Sequence, residues 1–331
     1  MKNVQIKEIA VYRPEKRENV ETYIKHFKKQ GKDTEELLKR VYGRKSYYMI
    51  DNEGKAEEDR ENSLTMKIKA ATEVLRKSNL SAKDIDALIV PTQAPEHMIP
   101  PDSLLLHKAL GLRQDIFAYD VNSNCASMLT ALEQAYYYME MKPSINRMLL
   151  VGGDYLTYIP RQDQELIYGC FGDSACAIIL ERTEDDSHLI ATDYFINTEF
   201  ADKCFFPDCG LSNILTSDQI QARCLPVGAD ILIVIEKIKK MLDEHGLTVD
   251  DISSFCFSQY VIANINLLKE GLNIPDEKCP YVGDEYGYTA STSPFLALNK
   301  AVEEGRIKHG DYLFFWTIGN GMQHIFMLIK Y

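Results

Sequence analysis

Two kinds of apolar spacing alternate along the chain. Amphipathic stretches with a helical period cover 64–78 and 229–245. Each leads through a polar turn into a short, nearly continuous apolar run. The first reads Leu80-Ser81-Ala82-Lys83-Asp84-Ile85-Asp86-Ala87-Leu88-Ile89-Val90, and the second reads Leu247-Thr248-Val249-Asp250-Asp251-Ile252-Ser253-Ser254-Phe255-Cys256-Phe257. They lie 167 positions apart (247 − 80). The same offset (317 − 150) separates Leu150-Val151-Gly152 from Thr317-Ile318-Gly319. Between these landmarks, Cys125-Ala126-Ser127 stands opposite Thr289-Ala290-Ser291, each expected to open a helix. The pattern predicts an internal duplication, two α/β halves in which strands alternate with helices. Strands that are apolar without alternation predict sheets covered on both faces.

The polar, alternating start Met1-Lys2-Asn3-Val4-Gln5 reads as a strand and not as a signal peptide. The mixed-sign segment 16–32 reads as a solvated helix. Charged, turn-like residues at 182–186 set the boundary, giving an N-terminal half over 1–183 and a C-terminal half over 184–331. No Gly/Ser/Pro linker separates the halves, so they are expected to pack as one body.

Composition narrows the function classes. A net charge of -12, with 37 basic against 49 acidic residues, argues against nucleic acid as a partner. No apolar run approaches the roughly 18–20 residues that span a bilayer. Eight cysteines in 331 residues, without an export signal, read as reduced cytoplasmic thiols. Cys204 and Cys209 are close in sequence, but neither a CxxC pair nor paired histidines accompany them, so no metal site is expected.

Cys125 is the most informative residue. The apolar strand 116–121 stops just before it. A helix follows, with Met128, Leu129, Leu132, Ala135, Tyr136 and Met139 on one face. A thiol at a helix N-terminus meets unpaired N–H groups and the positive end of the dipole, which favour thiolate. Small neighbours, Ala126 and Ser127, leave room for a substrate. Spacing alone leaves two readings open, a nucleophile and an inert buried thiol.

Four motifs together resemble the thiolase superfamily, and within it β-ketoacyl-acyl-carrier-protein synthase III. Asn124-Cys125-Ala126-Ser127 stands where that family has its active-site cysteine. Phe171-Gly172-Asp173-Ser174-Ala175-Cys176-Ala177 resembles its FGDGAGA stretch, Gly305-Arg306-Ile307-Lys308-His309-Gly310-Asp311 its GRIKPGD turn, and Ile318-Gly319-Asn320-Gly321 its Gly-rich loop. The resemblance implies a duplicated five-layer αβαβα fold and a dimer, either with itself or with a homologue. It implies acyl-coenzyme A or acyl-carrier-protein thioesters as substrates, with no further cofactor. It also implies an oxyanion hole from the backbone of Cys125 and of the Gly319, Asn320, Gly321 loop, and an acyl pocket shaped by the loop at Ile99, which in the family crosses to the partner subunit.

Two departures stand out. Phe257-Ser258-Gln259-Tyr260 occupies the place of the family's PHQAN-like motif, and Tyr286-Gly287-Tyr288-Thr289 that of its HGNT-like motif. Ser258 thus stands for the histidine and Tyr288 for the asparagine, which in the family stabilise the enolate formed on malonyl decarboxylation. Neither replacement is a base near pH 7. His324, His97 and Glu96 are the candidate substitutes for the missing base, and Gln93 aligns with a glutamate base of some relatives. The family's Trp–Arg clamp on the adenine corresponds to Leu37 and Glu165. These features lead to two expectations: an acyltransferase or non-standard condensing enzyme in specialised fatty-acid, polyketide or secondary-metabolite synthesis, or a catalytically weak partner subunit of an active homologue.

Overall fold

The computed structural model describes residues 3–226 and 228–331. Two sheets form its frame. The first has the order Asn3–Tyr12, Ser174–Thr183, Arg147–Asp154, Ala87–Pro91, Phe117–Val121; the last three strands are parallel and the first two antiparallel additions. The second sheet repeats four of these positions as His188–Ile196, Gln323–Lys330, Tyr312–Gly319 and Ile252–Phe257, with the same sense of pairing. Phe117–Val121 extends the first sheet beyond this shared pattern and forms its edge.

Helices complete five layers. Ser127–Met141 and Ser293–Glu303 lie between the sheets, in one apolar cluster with inner-face residues such as Leu150, Ile178, Phe315 and Met327. Ser63–Lys77 and Asp102–Leu110 cover the outer face of the first sheet. Ile231–Glu244 and Ile262–Leu272 cover the outer face of the second. The middle strands are buried on both faces, as their unbroken apolar runs predict: every residue of Ala87–Pro91 is buried. The reciprocal cap of Asn62 with Thr65 starts helix Ser63–Lys77, one residue before the predicted 64–78. The N-terminal strand forms as expected over Asn3–Tyr12; Met1 and Lys2 lie outside the described residues. Among the described residues no helix is long and apolar enough to cross a membrane.

Two expectations are corrected here. Segment 16–32 is not one solvated helix. Lys16–Asn19 pairs with Ser46–Met49, and Asn19 then caps helix Val20–Lys29. That helix buries Val20, Tyr23, Ile24 and Phe27, an i, i+3, i+4, i+7 stripe hidden in the sequence by the charges between. The cysteines are not all reduced either. Cys204 and Cys224, 20 residues apart, face each other across a two-stranded ribbon and form a disulfide. The partner of Cys204 is set by strand pairing, which sequence proximity to Cys209 did not reveal.

Candidate active site

The turn that presents Cys125 is built from its neighbours. Strand Phe117–Val121 ends, and Asn122 Oδ1 accepts the N–H of Asn124 at 2.8 Å. Asn124 adopts a left-handed conformation with φ 61°, which asparagine tolerates better than most side chains. Ser127 Oγ accepts the Ser123 N–H at 2.8 Å and donates to the Asn124 carbonyl at 2.6 Å, so the turn is fastened to the first residue of helix Ser127–Met141.

The second half closes on this turn. Thr317 Oγ1 donates to the Cys125 carbonyl at 3.2 Å. Gly319, at the end of strand Tyr312–Gly319, runs so close that a Cβ would stand 2.9 Å from the Ser123 carbonyl oxygen. Glycine is required there by the close approach. Beyond it, the backbone N–H of Asn320 reaches the Cys125 sulfur. Gly321, with φ 83°, turns the chain into Gln323–Lys330. Of the expected oxyanion loop, Asn320 is the residue whose N–H acts on the sulfur, favouring its thiolate form.

Three side chains complete the contacts of the sulfur, the nearest in sequence being Asn124, whose Oδ1 lies 3.7 Å away. The Cys125 thiol donates to Gln93 Oε1 at 3.4 Å. Gln93 is held in turn by Asp154, whose Oδ1 accepts the Thr92 hydroxyl and the N–H groups of Gln93 and Ala94. The Tyr288 hydroxyl interacts with both the Cys125 sulfur and Ser258. Ser258 is buried, and its Oγ has no partner of ordinary hydrogen-bond geometry, so its contact with Tyr288 is loose. Tyr288 itself is placed by the Phe171-Gly172-Asp173 stretch. The Gly172 N–H donates to the Tyr288 carbonyl at 3.0 Å, and the Tyr288 N–H donates to the Cys170 carbonyl at 2.9 Å. A Cβ on Gly172 would stand 1.8 Å from the Tyr286 carbonyl oxygen, so this crossing also demands glycine. The Tyr288 ring lies between Phe171 and Tyr260, with centroids at 6.0 and 5.0 Å, and fills the space beside the sulfur.

These surroundings reverse the expected state of the thiol. Burial pushes Cys125 up to about 11, and the charge of Asp154 adds to the rise, against smaller opposing effects from the Tyr288 hydroxyl and the Asn320 N–H. Desolvation is the largest effect on the thiol although Cys125 keeps partial solvent access, and the helix itself begins only at Ser127. At neutral pH Cys125 is a thiol. Tyr288, also buried and beside the sulfur, is raised well above its ordinary value and stays a neutral donor.

The three candidate bases lie elsewhere. His324 is on the opposite face of the second sheet from Thr317 and Cys125. It is fully buried among Trp316, Phe195 and Phe326, and its Nδ1 accepts the Trp316 indole N–H at 3.2 Å. Burial lowers its pKa to about 4. The strand alternation that turns Thr317 inward turns Trp316 and its partner His324 outward. Glu96 takes a 3.5 Å hydrogen bond from Ser63 Oγ and faces Tyr155 and Tyr158. His97 is exposed. Ile99 is 89% exposed. At the clamp positions, Leu37 is partly buried and Glu165 pairs with Lys32 at 2.9 Å.

Sequence reading missed Arg44. Its guanidinium is buried and meets no carboxylate among the described residues. It donates instead to the carbonyls of Tyr42, Cys170, Gln259, Tyr260 and Gly283, and to the Tyr281 hydroxyl. It thus ties the loop after Ser258 to the segment leading to Tyr288, and it shares the Cys170 carbonyl with the Tyr288 N–H. Nothing in the polar run Tyr42-Gly43-Arg44-Lys45 singles it out, since most of its partners are backbone oxygens distant in sequence. Arg44→Met leaves those oxygens buried and unpaired, and it is expected to lower unfolding free energy by about 3–5 kcal/mol. Urea denaturation with an unchanged m-value checks this.

Comparison with known proteins places this arrangement in a family. Residues 119–197 match the profile of 3-oxoacyl-[acyl-carrier-protein (ACP)] synthase III, and residues 242–331 match that of its C-terminal part. The β-ketoacyl-[acyl-carrier-protein] synthase III of Rickettsia prowazekii (strain Madrid E) is 30% identical over 267 residues, 80% of this chain and 83% of the relative. The chain belongs to the 3-oxoacyl-[acyl-carrier-protein] synthase III family. The synthase III of Campylobacter jejuni strain 81116 is 27% identical over 334 residues, covering 100% of this chain and 98% of its own. Among solved structures, 3-oxoacyl-[acyl-carrier-protein] synthase III from Aquifex aeolicus VF5 superimposes with a TM-score of 0.85 at 23% identity, over 99% of this chain and 100% of that one. The thiolase-like five-layer architecture is shared from end to end. Within that frame, Cys125 stands at the head of the central helix of the first half.

Proposed function

We propose that the protein is a synthase III-type acyltransferase that carries an acyl group as a thioester on Cys125. It would take acyl-coenzyme A or an acyl-carrier protein as donor, need no further cofactor, and serve specialised fatty-acid, polyketide or secondary-metabolite synthesis in the cytoplasm. The N-terminal half, 1–183, supplies the nucleophile, and the C-terminal half, 184–331, supplies Ser258, Tyr288 and the Asn320 loop. The observation that carries this reading is the convergence of the Asn320 N–H and the Tyr288 hydroxyl on a sulfur at the mouth of helix Ser127–Met141. In acyl transfer the sulfur attacks the thioester carbonyl, and the Asn320 N–H is placed to follow the charge onto the carbonyl oxygen. The Cys125 proton ends on the departing pantetheine thiol, since no carboxylate or imidazole among the described residues hydrogen-bonds the sulfur. Ser258 and Tyr288 offer hydroxyls where the family has His and Asn, which favours acyl transfer over malonyl decarboxylation. Intact-protein mass after incubation with a panel of acyl-coenzyme A and acyl-carrier-protein thioesters tests the proposal. One acyl adduct is expected, and it is absent in Cys125→Ala; no adduct from any donor counts against it.

A second reading is favoured by one observation, the thiol raised to about 11 by burial against the lesser opposing effects of the Tyr288 hydroxyl and the Asn320 N–H. In that reading the chain is a catalytically weak partner of an active homologue. It predicts no adduct on Cys125 alone, and a rise in the homologue's activity when the two are mixed.

Both readings need a second subunit. Phe117–Val121 is an edge strand with half-buried side chains, and Tyr137, Tyr138 and Met141 of the adjoining helix are exposed, as are Met98, Ile99 and Leu104. A dimer across this edge would continue the sheet and cover that surface, with at least about 1,200–2,000 Å² buried in total. Sedimentation at micromolar concentration is expected to give a dimer; a stable monomer contradicts the arrangement.

A further inference from the structure

Between strand His188–Ile196 and helix Ile231–Glu244 the chain makes a long excursion whose two arms pair as a short ribbon, Cys204–Phe205 against Arg223–Cys224, with further contacts from the Leu225 N–H to the Lys203 carbonyl, from the Cys209 N–H to the Gln219 carbonyl and in the Asp208–Arg223 ion pair. A two-stranded ribbon of this length is marginal by itself in water. The Cys204–Cys224 disulfide is the covalent tie between the arms, and both cysteines keep partial solvent access. Each arm touches a different wall of the site. On the first, the Cys204 carbonyl accepts the Asn320 side-chain amide at 2.8 Å. On the second, the Ala222 N–H donates to the Ile159 carbonyl at 2.8 Å, and the Cys224 N–H donates to Gln164 Oε1 at 3.3 Å. Ala222 and Cys224 pack in the same apolar cluster as Cys125 and Tyr288.

We propose that Cys204 and Cys224 are a redox-modification site whose disulfide holds the Asn320 loop in its working position. The substrate of the modification is a dithiol reductant, small or protein-borne. One thiolate of the reductant attacks a sulfur of the pair, and the Cys204–Cys224 bond breaks to leave a mixed disulfide. The second thiol of the reductant then attacks the reductant sulfur of that mixed disulfide and expels the cysteine still bound in it. Two electrons pass to the protein, two protons end on Cys204 and Cys224, and the reductant leaves as its own disulfide. With the tie broken, the two arms are joined by non-covalent contacts alone, chiefly the ribbon's hydrogen bonds and the Asp208–Arg223 ion pair. The Asn320 side chain loses a fixed acceptor, and the N–H that Asn320 turns toward Cys125 loses its orientation. The oxidised form is the competent one, and reduction lowers the rate of Cys125 acylation at saturating donor more than it changes KM.

The kinetic half of this inference rests on the acyltransferase reading, so the experiment carries a readout that does not. The full-length protein is compared after oxidised glutathione, after dithiothreitol, and as the Cys204→Ser/Cys224→Ser variant. Peptide mapping reports the bond, hydrogen–deuterium exchange reports residues 319–322, and adduct mass reports acylation. Dithiothreitol is expected to speed exchange at 319–322 and to slow acylation by about tenfold, a partial loss of one oxyanion donor. The double-serine variant should match the reduced protein and ignore dithiothreitol. Absence of the linked Cys204–Cys224 peptide after oxidised glutathione overturns the proposal. So does identical exchange at 319–322 in the oxidised and reduced protein. If exchange responds while neither form is acylated, the redox site stands and the acyltransferase reading fails.

Discussion

Iodoacetamide labelling of Cys125 is expected to be slow at pH 7 and to accelerate about tenfold per pH unit up to roughly pH 10, on the order of 10³ in total. Only the thiolate reacts, and burial holds the thiol up to about 11. Below that value the thiolate fraction falls tenfold with each unit of decreasing pH, so the sign is a rate that grows with alkalinity. The Tyr288 hydroxyl and the Asn320 N–H oppose the rise at Cys125, whereas Cys256 and Cys279, buried elsewhere in the core, are each pushed up to about 12. Tyr288→Phe removes one of these donors and should slow labelling at every pH below the plateau. Peptide mapping across a pH series measures both effects. A labelling midpoint near pH 7 would mean that the sulfur has a cationic or basic partner, which this arrangement does not contain.

Restoring the family's pair, Ser258→His with Tyr288→Asn, is expected to raise malonyl decarboxylation by on the order of 10²-fold or more, since each lost oxyanion-type donor typically costs about 10²–10³ in rate. Ser258 is in place for the exchange: its N–H is fixed to the Trp316 carbonyl at 2.8 Å, and its side chain faces Tyr288. Tyr288 blocks the same space with its ring, so Tyr288→Asn also opens room beside the sulfur. A single Ser258→His substitution should gain little, because the imidazole would press on that ring. Release of labelled carbon dioxide from malonyl thioesters reads the reaction. Rapid release by the unmodified protein would show that the hydroxyl pair supports decarboxylation, and no gain in the double variant would show that the two loops no longer meet a malonyl group.

How far this was legible in the sequence varies by residue. The duplication was visible because buried strands are written as short apolar runs and covering helices as 3.6-residue stripes, and both recur at one offset. Cys125 was visible because a strand-to-helix junction with small neighbours is a local feature. Segment 16–32 misled because its apolar stripe is interleaved with charges, and charge density dominated the reading. Arg44 and Asp154 gave no signal, since their partners are backbone groups and side chains dozens to hundreds of positions away. His324 gave a false one. Its nearness to the Gly loop in sequence says nothing about which face of the sheet it takes.

Sequence alone made legible the alternation of strands and helices, the repeat at one offset, the family and the strand-to-helix junction at Cys125, because each is carried by neighbouring residues or by a repeat. Tertiary structure decided the rest: the protonation state of Cys125, the face of His324, the exposure of Ile99 and the pairing of Cys204 with Cys224. The physical reason is common to all four. A pKa depends on everything that excludes water from a group, a strand's outward face on what the sheet packs against, and a disulfide on which strands pair, and none of these is a property of a local stretch of chain.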